Sequence, residues 1–157
     1  VGSLLVAAAL FAAMPLASAQ VFLQQGKTKD GVAFVGGGIG LTELAALKAR
    51  EGEFTLKLVF TLVEGNYLAG VDVVVRDAKG RTVAELANTG PVFMANLPPG
   101  TYTVSAKSRK RELTRKVQIG KRLRIEYLRW PSVAKEDYVA AADEPERKPA
   151  AARAAKP

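Results

Sequence analysis

The side chains that most often carry enzyme chemistry are missing. The 157 residues contain no histidine and no cysteine, so Ser-His-Asp and Cys-His nucleophile systems cannot be assembled, nor can the usual zinc, copper and haem ligand sets. General acids and bases are limited to carboxylates, lysines and tyrosines. Glu51 and Glu53 flank a turn, and Glu64, Asp72 and Asp77 lie near the ends of expected strands. None of these spacings defines a calcium loop or an acid/base pair. The expectation is a non-catalytic domain that needs no cofactor and no metal.

Charge carries the clearest chemical signal. Residues 107–129 hold ten basic side chains and two acidic ones, a net +8 that equals the excess of the whole chain. Lys107, Arg109, Lys110, Arg111, Arg115, Lys116, Arg122 and Arg124 are the candidate patch for an anionic partner: lipopolysaccharide phosphates, anionic lipid, acidic polysaccharide or an acidic envelope protein. The competing reading is a solvated strand face, since these cations alternate with core residues and basic side chains keep sheet edges from pairing. Nucleic acid is disfavoured, because no aromatic platform is interleaved and no recognition-helix motif is present.

Two weaker signals stand beside it. Val35-Gly36-Gly37-Gly38-Ile39-Gly40 precedes an expected helix and offers backbone amides to an anion. It lacks both the dinucleotide fingerprint and a Walker Lys-Ser/Thr, so a connector in which glycines permit positive φ or close chain approach is the better reading. Tyr67, Phe93, Tyr102, Tyr127 and Trp130 raise a carbohydrate platform. The better reading is core: strand period places Phe93, Tyr102 and Tyr127 inside, and only Tyr67 and Trp130, at strand ends, have room to be exposed.

The elements that must position these groups are mostly short strands. They are expected at Phe54 to Val63, Val71 to Arg76, Arg81 to Ala87, Val92 to Leu97, Thr101 to Lys107, Leu113 to Ile119 and Arg122 to Trp130. Asp77–Gly80 and Ser108–Arg111 serve as turns, a spacing that predicts an antiparallel β-sandwich of about seven strands. Alternation turns Tyr102, Val104, Val117, Ile119, Leu123, Ile125 and Tyr127 inward, with Arg122, Arg124 and Glu126 in water. One short N-terminal helix is expected over Thr42 to Arg50, with Thr42 as N-cap, Glu43 in the first turn and Leu44 and Leu47 as its apolar stripe.

The two ends read differently. Residues 1–19 are uncharged, apolar from Leu4 to Met14 and close on Ala17-Ser18-Ala19, the pattern of a secretory signal peptide cleaved before Gln20. That run is shorter than the roughly 20 residues a spanning helix needs. The expected location is therefore the periplasm or the cell exterior. Residues 131–157 are rich in Ala, Pro and balanced charge, and predict a disordered tail. Between them, residues 20–52 form the glycine-rich segment and helix packed on a sandwich of residues 53–130.

Gly70-Val-Asp-Val-Val-Val-Arg-Asp-Ala-Lys-Gly80, followed by Asn96-Leu-Pro-Pro-Gly-Thr-Tyr-Thr-Val104, resembles the carboxypeptidase regulatory-like family over about residues 53 to 127. The resemblance implies a sandwich of transthyretin-like, or prealbumin-like, topology, with an Ig-like look. The Gly36–Gly40 segment with its helix, and Gly90-Pro91, look similar to small exported proteobacterial proteins. Hydroxyisourate hydrolases of the transthyretin group use histidines and a C-terminal Tyr-Arg-Gly-Ser, and this chain has neither, so hydrolase activity is not implied. Collagen-adhesin repeats crosslink Lys to Asn beside an acid; Lys57 and Glu85 fit the first two roles, but the last strand has no Asn or Asp.

The expected function is a non-catalytic binding or accessory module of the cell envelope, engaging an anionic partner through a basic hairpin between Thr101 and Trp130. The alternative is a structural protein that assembles through its sheet edges.

Overall fold

Val71–Arg76 shows how this sequence writes a strand: Val71, Val73 and Val75 are buried while Asp72 and Arg76 reach water. The same period of two recurs in Tyr102 and Val104 and in Val117 and Ile119. A computed structural model describes residues 21–132; the expected leader and most of the expected tail lie outside the described residues. Among the described residues nine strands form: β1 Gln24–Lys27, β2 Ala33–Gly37, β3 Leu56–Leu62, β4 Val71–Arg76, β5 Thr82–Thr89, β6 Val92–Ala95, β7 Gly100–Ser108, β8 Arg111–Ile119 and β9 Arg124–Trp130. One helix, α1, covers Leu41–Ala49, followed by a single 3-10 turn at Glu51–Glu53. Among the described residues no helix is long and apolar enough to cross a membrane.

The strands make a mainly β sandwich of two sheets, ordered β1-β2-β6-β3-β9 and β5-β4-β7-β8. Leu56, Leu58, Phe60, Phe93 and Leu128 from the first sheet meet Val71, Val73, Val75, Val104 and Ile119 from the second. Each such fully buried side chain contributes about 1.5–3 kcal/mol. The outer face of the five-stranded sheet is covered at one end only. There Leu47 of α1 joins Val35, Phe54, Val92 and Met94 in a second cluster, with Leu44 and Leu123 packed beside it.

Four local features differ from the sequence expectation. The segment before α1 enters the sheet as β1 and β2, with β2 bonded to β6 through Phe34↔Ala95 and Val35↔Met94. All pairings are antiparallel except β3 with β9, which run parallel from Leu56↔Arg124 to Leu62↔Trp130. Thr42 does not cap α1: Gly40 is the N-cap, and Glu43 Oε2 reaches back to accept the amides of Gly38 (2.9 Å) and Ile39 (2.8 Å). A first-turn carboxylate thus satisfies two amide donors just before the helix, where it also favours the positive end of the helix dipole.

The fourth difference is the phase of β9. Ile125 and Tyr127 are exposed, and Leu128 and Trp130 are buried. The strand has apolar residues in both phases, and the slot beside Phe60 takes the Leu128–Trp130 set, with Trp130 edge-on to Phe60 at 6.0 Å. Leu123, on the same side as Ile125 and Tyr127, still finds cover because the α1 cluster lies over that end of the sheet.

The turns behave as their residues dictate. Asp77 Oδ1 accepts the Lys79 and Arg81 amides and closes the β4–β5 hairpin. The Tyr102 hydroxyl donates to the Pro98 carbonyl at 2.8 Å, fastening the Pro98-Pro99-Gly100 turn to the strand that it feeds. Gly90, between β5 and β6, lies so close to Gly37 that an added Cβ would sit 2.3 Å from the Gly37 carbonyl oxygen. At that point the chain crosses from one sheet to the other with backbone against backbone.

Candidate functional site

The basic residues fall on three places rather than on one hairpin. β7 and β8 are a hairpin, with Arg109 at φ 55° in its turn. β8 and β9, however, belong to different sheets. The expected Thr101–Trp130 hairpin is therefore a β7–β8 hairpin plus a crossover through Gly120–Leu123. Crossing places β9 beside β3, where the Leu128–Trp130 face completes the core.

Arg109, Lys110 and Arg111 cluster at the β7–β8 turn, and Arg115 and Lys116 follow midway along β8. Arg122 lies past the other end of β8, which at Ile119 is about 26 Å from Arg111 at the rise of an extended strand, and Arg124 opens β9. Two members of the set have acidic neighbours, and only Arg124 forms an ion pair with its own among the described residues. Lys107 stands in register between Asp72 of β4 and Glu112 of β8 on the outer sheet face, and Arg124 Nη2 pairs with Glu126 at 2.5 Å. Arg109, Lys110, Arg111, Arg115, Lys116 and Arg122 are exposed and make no ion pair among the described residues.

β8 is the edge of its sheet, and its register sorts these cations. Arg115 lies opposite Val104, so it stands on the core-facing side at the open flank, while Lys116 opposite Thr103 faces out. A cation on the inner side of an edge strand blocks strand addition. Arg111 and Arg115, four residues apart on one side of β8, stand about 13 Å from each other and repel by about 0.3 kcal/mol in water. An anion laid along this edge relieves that repulsion and adds attraction, and salt screens both. The Trp130 indole donates to the Arg111 carbonyl at 3.2 Å, tying β9 to the start of β8 and holding the turn against the sandwich.

Other candidates resolve differently. The Gly36–Gly40 amides that an anion would need are occupied at Gly38 and Ile39 by the chain's own Glu43. Gly36 instead provides close approach: an added Cβ would lie 2.3 Å from Thr89 Oγ1 and 2.5 Å from Leu86 Cδ2. Lys57 pairs with Glu51 at 2.5 Å, and Glu85 stands in the other sheet.

Several carboxylates are tied to structure. Glu53 is gripped by the Arg50 guanidinium, which holds its pKa below the usual carboxylate range. Glu64 is lowered by the Ser132 hydroxyl and then by its own backbone amide. Burial pushes Asp77 up, but the Arg81 amide and guanidinium and the Lys79 amide outweigh it, so the net shift is down. Among the described residues no three Asp or Glu side chains group to hold a metal ion.

The aromatic expectation is corrected in part. Trp130 is 4% exposed, whereas Tyr127, expected inside, is 52% exposed, and Tyr67 is 58% exposed rather than core. The cause is the inverted phase of β9. Among the described residues, a shallow groove of about 310 Å³ lies beside these tyrosines and another of about 300 Å³ lies between the Asp77–Gly80 turn and Thr101, Thr103 and Lys116. No protein-family model matches the chain, and no curated protein matches it in sequence.

Proposed function

We propose that this chain is a non-catalytic binding or accessory module of the cell envelope, exported to the periplasm or beyond, that engages an anionic partner along the β8 edge. The observation that carries the proposal is the set Arg109, Lys110, Arg111, Arg115, Lys116 and Arg122, exposed and without ion pairs among the described residues, on one edge strand and its flanking turns. Membership of the carboxypeptidase regulatory-like family is part of this reading. Its support is the pair of quoted motifs together with a two-sheet sandwich in which Asp77–Gly80 closes a hairpin and Pro98-Pro99-Gly100 feeds β7.

Retention from envelope extract at low and high salt tests the reading, with the chain compared to a variant in which Arg109, Lys110, Arg111, Arg115 and Lys116 are changed to Glu. A glycolipid, acidic glycan or acidic protein held only by the unmodified chain at low salt is the expected result. Equal retention by both proteins sinks it.

A second reading, assembly through sheet edges, draws on β1. All four residues of this edge strand, Gln24–Lys27, are exposed, and only Lys27 is charged, so the edge has little to block an added strand. Light scattering across protein concentration separates the two: a binding module stays monomeric, and an assembly protein grows.

A further inference from the structure

The groove beside the tyrosines lies on the part of the five-stranded sheet's outer face that α1 does not cover. Strand register fixes its layout. Tyr67 bridges Thr61 on one side of β3, and Arg129 of β9 stands opposite Thr61 on the other. Tyr67, Thr61 and Arg129 therefore form one row, about 10 Å wide, across two strand spacings. Tyr127, two residues before Arg129 and on the same face, has the Arg129 guanidinium 5.8 Å from its ring centroid. Glu64 closes the rim and accepts the Ser132 hydroxyl.

Thr61 supplies an independent observation. It lines the groove, only 5% exposed, and its Oγ1 has no hydrogen-bond partner among the described residues. Buried hydroxyls are ordinarily bonded. Here a floor with an unused hydroxyl is flanked by two exposed tyrosine rings, a guanidinium and a carboxylate.

That combination has a specific chemical complement. Tyrosine rings present flat apolar surface with a polar tip, while Arg129 supplies a planar fork of donors and Glu64 supplies acceptors. A lipid chain would leave the guanidinium and carboxylate unpaired, and a polyanion would meet Glu64. A sugar ring offers both an apolar face and hydroxyls that donate and accept. We propose that this groove is a saccharide subsite that stacks neutral pyranose rings on Tyr67 and Tyr127 and bonds their hydroxyls to Arg129, Glu64 and Thr61. It is separate from the β8 cations and goes beyond the anionic-partner reading.

Saturation-transfer NMR on the whole chain with cellotriose, chitotriose and maltotriose, each in the millimolar range, tests it. Transfer to the ring protons of at least one trisaccharide is expected. Tyr67→Ala and Tyr127→Ala each weaken that binding about fivefold, the scale of an aromatic face contact, and the double variant abolishes it. Both tyrosines are more than half exposed, so their replacement leaves the melting temperature nearly unchanged. The five-Glu β8 variant keeps full binding, which distinguishes failure of this site from failure of the anionic-partner reading. No transfer from any of the three sugars, transfer retained by the double tyrosine variant, or equal loss in the β8 variant overturns the proposal.

Discussion

Leu128 and Ile125 make a matched test of how β9 sits in the sandwich, because they are aliphatic residues of one strand on opposite faces. Leu128 is fully buried in the core of Phe60 and Trp130, and Ile125 is 43% exposed. Leu128→Ala removes buried methyl groups and leaves a cavity in a core fixed by both sheets, at a cost of about 2–5 kcal/mol. For a domain of this size each kcal/mol lowers the melting temperature by about 4 °C, so a drop of roughly 8–20 °C is expected. Ile125→Ala changes stability by about 0.5 kcal/mol. Circular dichroism melts and urea titrations followed by Trp130 fluorescence read both variants, and an unchanged urea slope shows that the unfolded states are comparable. If Ile125→Ala costs as much as Leu128→Ala or more, β9 has the other phase, and Tyr127 belongs in the core instead of the groove.

Two further outcomes follow from the turns. Gly90→Ala puts a methyl group 2.3 Å from the Gly37 carbonyl oxygen, where β2 is held by β6 and cannot retreat; a loss of about 1–3 kcal/mol is expected by urea titration, and a neutral result would show that the sheets do not cross there in backbone contact. Asp77, whose folded pKa lies below its ordinary value, contributes stability that is present above about pH 4 and lost as pH falls through the lower folded value. Asp77→Asn therefore melts lower than the unmodified chain at neutral pH, and the gap narrows towards about pH 2; a gap independent of pH would contradict the role given to the carboxylate.

The elements legible in the sequence are those with one apolar phase and turn residues at both ends. β4 is legible between Val71 and Arg76 because Val71, Val73 and Val75 fill one phase, Asp72 and Arg76 bound the other, and Asp77–Gly80 follows. β1 and β2 left no such mark. Gln-Gln-Gly-Lys has no apolar face, and Ala-Phe-Val-Gly-Gly ends in glycines that read as a loop. Both are strands because β6 offers β2 a partner and β2 offers one to β1, a tertiary cause that local pattern does not carry. β9 misled for the opposite reason: Leu123, Ile125 and Tyr127 form one apolar set, Leu128 and Trp130 another, and a slot in the opposing core chose between them.

The candidate site was legible as charge and illegible as shape. Ten cations within 107–129 are evident from the sequence, but Lys107 is matched by Asp72 only because β4 and β7 pair with that register. Arg124 is removed from the patch by Glu126, two residues on and on the same side of β9. The Tyr67–Tyr127 groove was hidden by the β9 phase alone, and the signal that could have found it is the exposed edge of a sheet with a helix over only one end.

The most direct test of the anionic-partner account is the salt dependence of binding to a defined polyanion, dextran sulfate, by the unmodified chain and by the five-Glu β8 variant. Between about 0.05 and 0.5 M salt the Debye length falls from roughly 14 to 4 Å. The affinity of the unmodified chain is expected to fall at least about tenfold over that range, and the variant is expected not to bind at low salt. Binding insensitive to salt, or equal in the two proteins, contradicts the anionic-partner reading and makes the β8 cations a solvated edge that guards the sheet.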